Sequence, residues 1–146
     1  MYKMKKILLL LVCLFSFSAM SLADDRPVSF NKLPQKAQVF IKKHFHFANV
    51  QKVLMDDDEY EVLLNGGIKI EFGKGGRWKE IETKRRGIPA GVIPERILNK
   101  VRKQYGPKVR IMEISRDGEE MEVKLSNGKE LEFDRNRRNN RDRDDD

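Results

Sequence analysis

The sequence predicts an α+β fold in which two tandem α-β-β-β(-β) repeats build one antiparallel sheet with both helices packed on one face. Three observations carry this expectation. A Leu/Ile-Pro step followed by apolar residues every four positions occurs twice, from Leu33-Pro34 and from Ile93-Pro94. An alternating segment around Asn-Gly also occurs twice, from Tyr60 to Phe72 and from Met121 to Phe133. Leu33 and Ile93 lie 60 positions apart and Tyr60 and Met121 lie 61 apart, so the copies differ by one inserted residue.

At the start of the chain stand Lys3, Lys5 and Lys6, an apolar run from Ile7 to Phe17, and the small-residue segment Ser18-Ala19-Met20-Ser21-Leu22-Ala23. A positive start, an apolar stretch and small residues before a cut define a secretory signal, expected to be cleaved after Ala23. The run is short for a membrane span, so no transmembrane segment is expected after cleavage. Removing 23 of 146 residues leaves 123, and the loss of three lysines lowers the formal charge from +7 to +4. Cys13, the one cysteine, leaves with the signal. That excludes thiol nucleophiles, Cys-ligated zinc and disulfides, so the fold must be held by its core. A periplasmic or secreted location follows.

Residues 24–133 read as one two-repeat domain, with repeat 1 over about 33–83 and repeat 2 over about 93–133. In the first copy Ala37, Ile41 and Phe45 line one side of a helix; in the second Ile97, Val101 and Tyr105 do the same. Each helix has Pro in its first turn, and the second stops at Gly106-Pro107. Strands are expected at Val50 to Met55 and Val109 to Ser115, followed by the two Asn-Gly hairpins. A further strand, Arg77 to Thr83, follows the turn Gly73-Lys74-Gly75-Gly76, and Lys84 to Gly91 links the copies. From 134 to 146 five Arg and five Asp balance with nothing apolar, a composition expected to be disordered.

Period-two alternation turns Tyr60, Val62, Leu64, Ile68, Ile70, Phe72, Met121, Val123, Leu125, Leu131 and Phe133 toward the helices. Glu61, Lys69, Glu71, Glu122, Lys124, Glu130 and Glu132 then face outward, as a one-sided antiparallel sheet allows. Counting back from Ile81 puts Trp78 on that open face, beside Leu63. An exposed Trp with an aliphatic neighbour has the composition of a binding anchor.

These residues resemble the PepSY-like, β-lactamase-inhibitor-like proteins exported by Bacteroidetes. The likeness rests on the Leu/Ile-Pro helices, the hairpins ending in Phe, and the Gly turn leading to Trp (Phe72 to Trp78), and spans about Leu33 to Phe133. It implies a curved antiparallel sheet with helices behind it, in the periplasm or outside the cell. The family is named for likeness to a secreted inhibitor whose sheet surface and loops grip an enzyme. The second copy departs from the pattern by lacking the Gly-Trp strand.

No catalytic constellation stands out. His44 and His46, two positions apart at a helix end, point to different sides and read as solvated. Asp56-Asp57-Asp58-Glu59 lacks the spacing of a calcium loop and reads as an acidic turn. Gly73 to Gly76 lacks the Lys-Ser/Thr ending of a phosphate loop. No enzyme activity, metal or cofactor is expected. Lys79, Lys84, Arg85, Arg86, Arg96, Lys100, Arg102 and Lys103 form a basic group without the stacking aromatics that nucleic-acid binding requires, so no nucleic acid is expected. The expected function is a non-enzymatic envelope binding module that holds a protein or peptide through Trp78, Leu63, Glu61, Lys69, Glu71, Glu122, Lys124, Glu130 and Glu132. The alternative is weak association with an anionic envelope surface through the basic linker and second helix.

Overall fold

The computed structural model describes residues 25–57 and 59–134. The proposed signal segment and nearly all of the Arg/Asp tail lie outside them. Strands β1 (Arg26–Val28), β2 (Val50–Asp56), β3 (Glu59–Leu64), β4 (Ile68–Phe72), β5 (Trp78–Thr83), β6 (Ile111–Asp117), β7 (Glu120–Leu125) and β8 (Glu130–Asp134) form one sheet in chain order, every neighbour antiparallel. Helix α1 (Gln35–His44) precedes β2, and helix α2 (Glu95–Tyr105) precedes β6.

One register line explains why eight short strands make a single sheet. Val28, Val53, Val62, Ile70, Ile81, Ile114, Val123 and Leu131 are successive cross-strand partners from edge to edge. Ala37 and Ile41 of α1 and Ile97 and Val101 of α2 join these side chains in one hydrophobic cluster. All eleven residues expected to face the helices belong to that cluster or pack against it. Burying a large aliphatic side chain contributes about 1.5–3 kcal/mol, so this row is the main favourable term of the fold.

The duplication extends to individual hydrogen bonds. Ala37 and Gln38 donate to the carbonyl of Pro34, as Ile97 and Leu98 donate to that of Pro94. Each proline therefore occupies the N-cap, one residue before the expected first turn: its ring fixes φ, its ψ stays extended, and only its carbonyl serves the helix. Both copies also carry a bulge at the same place, Gln51 in β2 and Met112 in β6. The carbonyl of Met112 accepts the hydroxyl of Thr83 at 2.9 Å, which satisfies a polar group buried in the core.

Two segments differ from the sequence reading. Arg26–Val28, which precedes repeat 1 and carries no expected strand, pairs with Val53 to Met55 and becomes the edge strand β1. The linker is not merely a connector: Ile88 is buried, and its N–H donates to the carbonyl of Ile111 at 2.8 Å. Apolar Val28 and Ile88 each add to the core, an advantage that three-residue segments do not display as periodicity.

The glycine turn between β4 and β5 abuts the start of α1. Gly76 has φ +85, and a Cβ there would lie 2.9 Å from Cβ of Pro34 and 3.1 Å from the backbone N of Ala37. Gly66 has nearly the same φ, +84, with open space around it. Gly66→Ala should therefore cost about 1 kcal/mol from backbone strain alone. Gly76→Ala should cost about 3 kcal/mol, because helix and turn must also separate. Urea unfolding of the two variants checks this difference, and equal losses would contradict it.

Candidate functional site

The sheet face opposite the helices is built by the same register that builds the core. Adjoining the aliphatic row is a line of partners running Glu61, Glu71, Glu80, Ser115, Glu122 and Glu132 across β3 to β8. The next line runs Lys52, Leu63, Lys69, Glu82, Glu113, Lys124 and Glu130. Eight of these thirteen positions are glutamate, so the face is acidic, above all over β5 to β8, where Lys124 is the one lysine in the two lines. Basic residues gather instead on the helices and linker, among them Lys42, Lys43, Arg102 and Lys103, and Lys84, Arg85 and Arg86.

The expected outward residues Glu61, Lys69, Glu71, Glu122, Lys124, Glu130 and Glu132 all occupy this face, together with Leu63. Their environments vary. Lys124 and Glu130 are exposed, whereas Glu61, Leu63, Glu71, Glu122 and Glu132 are half-buried. Lys69 is only 8% exposed, with its Nζ 3.4 Å from a carboxylate oxygen of Glu82. Long side chains standing about 5 Å apart on adjacent strands cover one another's stems.

Crowded carboxylates in this setting hold their protons more tightly. Burial raises the pKa of Glu61, opposed by Lys69 and assisted by Asp25 and Glu82. Burial likewise raises Glu71 and Glu122; Glu132 and Glu130 add to the effect at Glu122. Glu80 is pushed up to about 8, by burial first, then by a hydrogen bond with the Glu113 side chain and the charges of Glu71 and Glu113. Near pH 7 Glu80 is thus held toward its protonated form. The sequence contains both residues, but only the β5–β6 pairing, set between copies, brings them together.

Trp78 does not stand on this face, which corrects the expected position. Glu71 pairs with Glu80 but Phe72 pairs with Trp78, so Lys79 is an extra residue in β5. That bulge reverses the alternation and turns the indole to the helix side, where it is 7% exposed and part of the core. Leu63, paired with Lys69, is three register steps away from the Phe72–Trp78 pair. Arg116 closes over the indole. Its guanidinium carbon lies 3.8 Å from the ring centroid, and its Nε donates to the carbonyl of Trp78 at 2.7 Å.

Among the other candidates, His44 packs against Phe40 at 4.9 Å between ring centroids, and burial together with Lys43 lowers its pKa. His46 is exposed beside Phe47. At the acidic turn Glu59 accepts a salt bridge from Lys79 at 2.6 Å. Among the described residues no group of three or more His, Cys, Asp or Glu is placed to hold a metal ion. No helix among them is long and apolar enough to cross a membrane. Part of the basic group is engaged: Arg86 stacks on Phe47 at 4.5 Å and Arg96 lies over Phe133 at 6.0 Å.

A duplicated helix-backed antiparallel sheet with one polar face defines an α+β tandem-repeat module. The model of the PepSY-like family, described as candidate β-lactamase-inhibitor-like, matches residues 22–65 and 58–138, and the chain belongs to that family. Three solved structures share its fold. A candidate calcium-regulated periplasmic protein of Bacteroides thetaiotaomicron is 40% identical with TM-score 0.73, covering 77% of this chain and 91% of that one. A candidate periplasmic protein of the DUF2874 family from Bacteroides vulgatus is 40% identical with TM-score 0.74, covering 80% and 94%. A second candidate periplasmic protein from Bacteroides vulgatus, of unknown function, is 33% identical with TM-score 0.70, covering 75% and 91%. No curated protein matches the chain. The periplasmic description of these neighbours agrees with the exported location expected from the sequence.

Two predictions follow from the geometry. Arg116→Ala should cost about 2 kcal/mol in urea unfolding, through the lost stacking and charged hydrogen bond, and should red-shift the emission of Trp78, the one tryptophan. An unchanged spectrum would show that the guanidinium does not cover the indole. For Glu80, folded- and unfolded-state pKa values of about 8 and 4.5 mean that between these pH values the unfolded state releases a proton the folded state keeps. Its contribution to stability is therefore full below about pH 4.5 and lost as pH rises through about 8. Glu80→Gln should flatten this fall, raising the urea midpoint at pH 8 more than at pH 5. An equal change at both pH values would contradict the assignment.

Proposed function

We propose that the protein is a non-enzymatic envelope module that binds a protein or peptide partner through the open sheet face, with Leu63, Glu61, Lys69, Glu71, Glu122, Lys124, Glu130 and Glu132 in the contact. The observation that carries this reading is the division of labour between the two sheet faces. The aliphatic row is spent on the helices, while the opposite face keeps its polar groups across the sheet, with no helix among the described residues over it. Membership of a family described as inhibitor-like supports the same use, because an inhibitor acts by binding. Trp78 enters the reading differently from the sequence expectation: it braces the sheet through Arg116 instead of touching the partner.

The acid-rich lines give the face its selectivity. A partner with Lys or Arg at its contact surface gains charge complementarity and faster association, both weakened by salt. Leu63 offers an apolar contact within the polar field, so part of the binding should survive at high salt.

The test uses a face variant, Leu63→Ser with Glu122→Lys and Glu130→Lys, in quantitative pull-down from envelope extract. Capture of the proteins enriched by the unmodified chain should fall at least tenfold, while the melting temperature changes by only a few degrees because no core side chain is altered. Undiminished capture by a folded variant would overturn the reading. Binding to anionic vesicles that persists in this variant and is lost on Lys100→Ser with Lys103→Ser would instead favour the helix-side surface.

A further inference from the structure

Strand β8 is the last of the sheet, and the described chain leaves it at Asp134, two residues beyond Glu132 of the glutamate line. The twelve residues that follow begin Arg135-Asn136-Arg137-Arg138-Asn139-Asn140-Arg141-Asp142-Arg143. In an extended chain, Arg135, Arg137, Arg141 and Arg143 share one side, because each is separated from the first by an even number of residues. An arginine-rich strip therefore starts at the edge of an acidic face.

The lengths match. The glutamate line crosses from β8 to β3 in five strand steps, about 24 Å at about 4.8 Å per step. Nine extended residues span about 30 Å, enough to cross the line once. Guanidinium groups suit this surface, since their planar donors pair with carboxylates in a bidentate manner.

We infer that residues 135–143 occupy the open face in the absence of a partner, laying Arg135, Arg137, Arg141 and Arg143 along Glu132, Glu122, Glu71 and Glu61. The inference rests on the reading of this face as a docking surface and adds its resident occupant. A partner then binds by displacing a tethered competitor. The tether keeps the strip at high effective concentration, so partners with weaker positive charge are excluded and apparent affinity depends on the tail.

A nitroxide at the far end of the strip reads its position. In the full chain carrying Cys13→Ser and a labelled Asp144→Cys, amide signals at Glu61 and Glu71 in β3 and β4 should broaden at low ionic strength. The broadening should be lost when Arg135, Arg137, Arg141 and Arg143 are all replaced by Ser. Broadening confined to β7 and β8, or unchanged by the four substitutions, would overturn the inference. Adding a free peptide of sequence 135–143 to the four-Ser chain separates this from the parent reading. Peptide-induced shifts on the open face without docking of the tethered tail would leave the face a docking surface and remove only its tethered occupant. Absence of both would remove the acidic face as a site for cationic chains.

Discussion

The row of Val28, Val53, Val62, Ile70, Ile81, Ile114, Val123 and Leu131 is the constraint on which the rest of this structure depends. Each hairpin is short, and a two-stranded unit alone is marginal in water. Cross-strand contact along the row, capped by helix side chains, gives all eight strands a shared burial. It also fixes register, because a slip of one residue would turn the aliphatic set to solvent and the glutamates into the core. The acidic face is thus a consequence of the same pairing, and each Glu is placed by its aliphatic neighbour one position along the strand.

Three bulges mark where that parity is broken, and each has a local use. Those at Gln51 and Met112 sit at equivalent places in the two copies, and the second directs a carbonyl to buried Thr83. The third, at Lys79, turns Trp78 inward under Arg116. A large aromatic that alternation would leave exposed instead seals the core next to the glycine turn, whose Gly76 lies against Pro34. The first copy is thereby locked to its helix.

The repeat was legible in the sequence because its signals are redundant: Pro steps, helical periodicity and Asn-Gly turns all report the same offset. The eleven inward residues could be named because hairpin alternation is unbroken on both sides of each turn. Trp78 could not be placed, since an extra residue in one strand leaves no mark on composition, and counting from Ile81 runs across the bulge. Nor could β1, whose three residues carry too little pattern. The outward residues were legible as a set, but the near-complete burial of Lys69 and the contact of Glu80 with Glu113 depend on which strands become neighbours. The β5–β6 pairing joins segments separated by a helix and a linker, information that local alternation does not contain.

If one aliphatic row makes both copies a single cooperative unit, damage at their junction must be felt equally at both ends. Ile81 pairs with Ile70 in the first copy and Ile114 in the second. Urea unfolding of Ile81→Ala, followed by Trp78 fluorescence for the first copy and by the Val123 amide signal for the second, measures this coupling. A shared row requires both probes to move to one common, lower midpoint, with a loss of about 2–5 kcal/mol. A Val123 transition that stays at its original midpoint while that of Trp78 falls would show two independent repeats.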